Sequence, residues 1–142
     1  MSESLLKTGD LNDHLRLLHF RAATDSRGLL TEFDYAALPF PVQRAFTITG
    51  VPRSTTRGGH AHKKCEHVLV CLQGQVTVEA AFQSQRTTVV LNDPSVGLFI
   101  GAGVWAAQTY DQDDTVLLTF ASLPYDQDSY IQSGGPGHDI VR

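Results

Sequence analysis

Arg57-Gly58-Gly59-His60-Ala61-His62-Lys63-Lys64-Cys65-Glu66-His67-Val68-Leu69-Val70-Cys71-Leu72-Gln73-Gly74 is the stretch on which the reading of this chain turns. Glu66 to Leu72 is apolar and rich in β-branched residues, and Gln73-Gly74 closes it, so a strand is expected there. A second strand is expected to begin at His60. On a strand, His60 and His62 project from one face and Ala61 from the other. One face then carries two imidazoles whose charge can change near neutral pH. Such a pair can move protons or hold a metal. Arg57, three positions earlier, can hold an anionic substrate beside it. The plainer reading is a pair of surface histidines next to Lys63 and Lys64.

Outward from this stretch, short strand-like segments recur. Leu15 to Phe20 and Leu29 to Phe33 flank Asp25-Ser26-Arg27-Gly28, a turn. Ala36 to Pro41 reads as a loop with two prolines. Arg44 to Thr49 is a strand ending at Gly50, and Val51 to Gly59 is loop-like. In Gln75 to Phe82, Val76, Val78 and Ala80 fall on one side and Thr77 and Glu79 on the other. Gln73-Gly74, between two such runs, predicts a tight hairpin. Thr87 to Leu91 precedes the turn Asn92-Asp93-Pro94. Gly97 to Ile100 and Trp105 to Tyr110 flank Gly101-Ala102-Gly103, and Thr115 to Ser122 is the last strong strand. Asn12 to Leu18 alone has a helical period, and it is short. Tyr125 to Ile131 reads as a short helix or turn, and Ser133 to Gly137 as flexible. Many short strands with turn signals and little helix predict an all-β sandwich or barrel.

The 142 residues predict one domain. A formal charge of −4 argues against a general nucleic-acid binder. Nothing approaches the roughly 18 apolar residues of a membrane span. Met1 to Asp10 lacks the basic start and apolar block of a secretory leader. Cys65 and Cys71 would lie about 20 Å apart along one strand, too far to bridge. Reduced thiols and a cytoplasmic location are expected. Glu66 to Leu72, apolar on both faces, needs its outer face covered, and a homodimer is the predicted cover.

The spacing H-x-H-x₄-His67-x₆-Gly74 resembles the first motif of cupins, small jelly-roll barrels. In metal-binding cupins the third position is usually glutamate. Here it is His67, while Glu66 points to the opposite face by strand parity. The second cupin motif usually ends in a histidine ligand, and here that position is Ala106. Three neutral histidines could bind iron or zinc with open positions. His67 is read instead as a hydrogen-bonding wall residue. Without a metal, His60 and His62 can serve as base and acid toward a carbon acid. Arg27, Arg44, Arg53, Arg57 and Arg86 are candidates for pairing with phosphate oxygens. Arg27 and Arg57 are preferred because each stands beside a glycine at a strand entry. Trp105 is either a core aromatic or a pocket wall. No phosphate-binding glycine loop and no nucleophile elbow is present.

The combination of Arg57 to Lys64, Val68 to Gly74, Gly97 to Trp105 and Ala121 to Ile131 closely resembles the cupin-type nucleotide-sugar 3,4-ketoisomerases. Asp25 to Gly28 matches too, a segment also similar to one in the related 3,5-epimerases. The likeness spans about residues 15–131. It implies a jelly-roll fold, a dTDP-linked 4-keto-6-deoxyhexose as substrate, no metal, and no cofactor. It also implies a homodimer in which strands before about Thr24 cross to the partner. His60 and His62 correspond to the active-site histidines, with His62 expected as the base and His60 as donor or second acid. Arg57 corresponds to the motif arginine, and Arg27, His67, Thr47 and Trp105 complete the expected binding set. Where the family often has tyrosine after the aromatic of its R-V-[YF]-Y strand, this chain has Thr47, so Thr47 or a water would take over any role of that hydroxyl. Some members carry V-W-H where this chain has Val104-Trp105-Ala106. Rival readings are a 3,5-epimerase, a three-histidine metal cupin of the dioxygenase class, and a non-catalytic sugar-binding cupin.

Overall fold

The computed structural model describes residues 13–126 and 130–131. Twelve strands are described: β1 (Leu15–His19), β2 (Arg21–Asp25), β3 (Gly28–Glu32), β4 (Arg44–Ile48), β5 (Thr55–His62), β6 (His67–Gln73), β7 (Val76–Phe82), β8 (Gln85–Leu91), β9 (Val96–Ile100), β10 (Trp105–Tyr110), β11 (Val116–Ala121) and β12 (Tyr130–Ile131). They form two five-stranded antiparallel sheets, ordered β1-β9-β6-β11-β4 and β12-β5-β10-β7-β8, beside a separate β2-β3 hairpin. This is the all-β architecture that the short strands and turn signals predict, arranged in two sheets as the resemblance to cupins implies.

Alternation in the sequence builds the interior. Val76, Val78 and Ala80 of β7 face Leu69 and Cys71 of β6, Val89 and Leu91 of β8, Leu98 and Ile100 of β9, and Leu117 of β11 in one core between the sheets. The other face of the first sheet, Val68, Val70, Phe99 and Phe120, carries a second cluster with Phe20, Leu38 and Phe40. Within this chain, Phe20 and the segment after β3 that carries Leu38 and Phe40 cover the outer face of β6. Asp34 initiates that segment by accepting from the Ala36 amide at the short 3-10 turn Tyr35–Ala37.

Several local expectations are corrected. Gln73-Gly74 does not close a hairpin, because β6 and β7 lie in different sheets. The chain turns a corner there with Gly74 at φ +82, where a Cβ would stand 2.8 Å from Thr115 Cα. Only glycine passes that close with a left-handed backbone. Asn12 to Leu18 is not helical: from Leu15 the chain is β1, paired with β9 of its own sheet, while Asn12 lies outside the described residues. The turn at Asp25 to Gly28 leads into β3, the expected Leu29 segment, but its other arm is β2 rather than Leu15 to Phe20. β5 begins at Thr55, so most of the expected loop before His60 is strand. Tyr130–Ile131 is a strand against Ala61 and His62, not helix or turn. The flexible segment expected at Ser133 to Gly137 lies outside the described residues.

Candidate active site

Between the inner faces of the two sheets lies a cavity of about 320 Å³. β5 delivers Arg57, His60 and His62 to it, and β4 and β6 deliver Arg44 and His67. The placing of Arg57 needs explanation. Three positions from His60, it would face away on a regular strand. Across the β5–β10 pairing, Ala106 lies opposite His60 and Ala107 opposite Gly58, so Gly59 is an extra residue. This is a β-bulge, and it resets the alternation. Gly58 and Gly59 stand at φ +86 and +85, conformations that favour glycine. The Gly-Gly pair thus puts the arginine and both histidines into one cavity.

The three imidazoles form a row. The His60 and His62 ring centroids are 5.1 Å apart, and those of His62 and His67 are 4.5 Å apart. His67 is buried, with Nε2 3.8 Å from Cys65 Sγ. No Asp or Glu lines the cavity among the described residues. Burial, then the neighbouring His60, then Arg44, lower the His62 pKa to about 4. Burial, then His62, Arg44 and His60, lower that of His67 to about 3. Both imidazoles are neutral at pH 7. Cys71, in the core, is pushed up to about 11, first by burial, and is an unreactive thiol.

The donor set does not fit a catalytic metal. Among the described residues no three His, Cys, Asp or Glu side chains are arranged to hold an ion. The position opposite His60 is the methyl of Ala106.

Three expected binding residues stand differently. Arg27 sits at the exposed tip of the β2–β3 hairpin, paired with Asp25 Oδ2 at 2.6 Å, and does not line this chain's cavity. Trp105 is buried with Ala61, Ala81 and Ala107, away from the cavity, because its neighbour Ala106 takes the inward position. Thr47 borders the cavity, but Arg44, Phe46 and Ile48 occupy the inward positions of β4, so parity turns the Thr47 side chain outward. It cannot replace a catalytic hydroxyl inside. The carboxylates Glu32 and Asp25 are engaged with Arg21 and Arg27 on the hairpin. The cavity adds Gln108, Thr119 and Tyr125, which were not expected, and Arg44, which was one of five arginines and not a preferred one. Strand alternation from Arg44 through Phe46 to Ile48 was the signal that could have found it.

A family model described as FdtA: WxcM-like, C-terminal, matches residues 13–135. The TDP-4-oxo-6-deoxy-alpha-D-glucose-3,4-oxoisomerase of Aneurinibacillus thermoaerophilus is 35% identical over 118 residues, covering 82% of this chain and 85% of that one. The sugar 3,4-ketoisomerase QdtA of Thermoanaerobacterium thermosaccharolyticum, solved with TDP, superposes with a TM-score of 0.81 at 38% identity, covering 84% of this chain and 88% of that one. A histidine-to-asparagine variant of QdtA has been solved with TDP-4-keto-6-deoxyglucose. A 4-keto-6-deoxy sugar epimerase from Streptomyces spheroides is 17% identical with a TM-score of 0.74, covering 89% and 71% of the two chains, a likeness of fold alone.

Proposed function

The chain belongs to the FdtA family, and from that premise we propose that it is an isomerase moving the carbonyl of TDP-4-keto-6-deoxyglucose from C4 to C3. The observation that carries this reading is the His60–His62 pair on one inward strand face, in a cavity that no carboxylate lines among the described residues. The C4 ketone acidifies the hydrogen on C3. A neutral imidazole takes that proton, the C3–C4 double bond forms, and O4 gathers the charge. Protonation of O4 gives the 3,4-enediol. Proton delivery to C4 and loss of the O3 proton then leave the ketone at C3.

The roles within the pair are assigned from their places in the row. The sequence reading made His62 the base. In the fold His62 stands between the other two rings, and its pKa of about 4 makes it a weak acceptor. A base works best with a pKa near the operating pH. His60, at the end of the row opposite Ala106, takes the base role in this proposal by position. Neutral His62 is then the hydrogen-bond donor to the developing oxyanion. Arg57 is assigned to the diphosphate.

The test is incubation of the chelator-treated protein with TDP-4-keto-6-deoxyglucose in D₂O, followed by NMR of the sugar. A 3-keto product with deuterium at C4 and none at C5 is expected. Deuterium at C5 would instead indicate a 3,5-epimerase. Activity lost to the chelator and restored by iron or zinc would support the metal reading.

We propose a homodimer in a cytoplasmic setting. The β2–β3 hairpin supports the dimer: it stands apart from both sheets, with Leu29 and Leu30 51% and 57% exposed. Light scattering should give twice the chain mass at micromolar concentration, and a stable monomer would refute it. The two free cysteines support the setting.

A further inference from the structure

Arg44 is held in an unusual way. Its guanidinium lies over the Phe46 ring at 5.0 Å and over the Tyr125 ring at 5.7 Å. Its Nε is buried and has no hydrogen-bond partner. Among the described residues no carboxylate forms an ion pair with it, and none lines the cavity it faces. A guanidinium cannot shed its charge. Arg44 is half-buried, and a charge partly withdrawn from water with no counter-charge beside it favours the arrival of an anion.

The two arginines of the cavity act on different neighbours. The charge of Arg57 is felt by Tyr110, whose phenol burial pushes up to about 12 against Arg57's opposing effect. Arg44 on β4 lies opposite Ala121 on β11, and Ala121 lies opposite His67 on β6. Arg44 therefore belongs to the histidine side of the cavity, where the carbon chemistry takes place. The aromatic pair also fixes the guanidinium plane, so little reorganisation is needed when charge develops.

We propose that Arg44 is a further catalytic residue, carrying the negative charge that forms on the sugar oxygen as the C3 proton leaves. The proposal rests on the ketoisomerase reading. When the C3–H bond breaks, the proton passes to imidazole and the electron pair forms the C3–C4 double bond. The carbonyl electrons move onto O4, which lies against the Arg44 N–H groups until it is protonated. When C4 takes its proton and C3 becomes the carbonyl, the charge is gone and the contact relaxes. This contact is stronger in the transition state than with bound substrate, so its loss lowers kcat rather than affinity.

The experiment compares wild type, Arg44→Gln and Arg57→Ala in turnover of TDP-4-keto-6-deoxyglucose, in calorimetric binding of TDP, and in NMR titration of the imidazole protons. Loss of one oxyanion donor typically costs about 10²–10³-fold in kcat, and that is expected for Arg44→Gln. Its TDP affinity should stay within about threefold. The His62 and His67 titrations should move to higher pH, a change that a diphosphate-binding role for Arg44 does not require. Arg57→Ala should mainly weaken TDP. Near-normal kcat in Arg44→Gln, or lost TDP affinity with kcat retained, would overturn the proposal. If Arg44→Gln does not fold, Arg44→Met, whose straight apolar chain can still pack between Phe46 and Tyr125, takes the same measurements with the same expected and overturning results. Wild type that fails to isomerise the keto sugar sinks the parent reading. Active wild type with an unimpaired Arg44 variant sinks only the role of Arg44.

Discussion

His60→Asn is expected to lower turnover of TDP-4-keto-6-deoxyglucose by about 10²–10⁴-fold, the usual contribution of a general acid–base group. Asparagine keeps a polar group at the same place on β5 but cannot take the C3 proton. TDP affinity should change no more than a few-fold, because the diphosphate is assigned to Arg57 on the far side of the Gly58-Gly59 bulge. His62→Asn should also be slow, by about 10²-fold, because its amide can still donate a hydrogen bond although less well placed. Hydrogen exchange separates the two roles. In D₂O, His60→Asn should lose wash-out of the C3 proton together with turnover. His62→Asn should retain slow exchange at C3. The reverse pattern returns the base to His62. Near-normal turnover in both variants would falsify the catalytic reading of the pair.

Residues whose surroundings are local were legible in the sequence. Val76, Val78 and Ala80 alternate because β7 has one face in the core and one toward solvent. His60 and His62 share a face by the same arithmetic. Reading failed where a partner decides. Gln73-Gly74 is chemically a tight turn, yet a corner between sheets needs the same residues, and only the position of Thr115, far along the chain, distinguishes them. β2 was invisible because Arg21-Ala22-Ala23-Thr24-Asp25 is exposed on both faces and so has no apolar period. β1 looked helical because Leu17 packs into the inner core and Leu18 into the outer cluster, which blurs the period of two.

The site shows the same division. Glycine beside arginine marked Arg57 and Arg27 alike. At Arg57 the glycines form a bulge that turns the side chain inward, and at Arg27 the glycine merely ends a hairpin tip. Arg44 has no glycine beside it, and its value lies in Tyr125, eighty-one residues away in the chain. Thr47 and Trp105 were each one parity step from the inward position, which Phe46 and Ala106 hold.

Stability is expected to fall steeply as pH drops below the ordinary histidine range, because the fold keeps two imidazoles neutral. The folded pKa values, about 4 for His62 and about 3 for His67, lie below the unfolded value of 6.5. Between those limits the unfolded chain binds more protons than the folded one, so stability rises with pH there. It is fully present above about pH 7, declines as pH falls through 6.5, and levels off only below the folded values. Each such histidine contributes a slope approaching about 1.4 kcal/mol per pH unit inside the window. Carboxylates titrate mainly lower, so the interval from pH 6.5 to 5 isolates the histidines. Urea unfolding across that interval should give a wild-type slope near that of two protons, and His67→Asn a slope near that of one. The slope is diagnostic because any constant packing loss in the variant shifts the whole line without tilting it. A flat wild-type line, or a variant line parallel to it, would show that the row of imidazoles is solvated enough to protonate freely. That outcome would also remove the ground for making His62 a neutral donor, since the same burial that costs stability in acid is what keeps its N–H uncharged at the pH of catalysis.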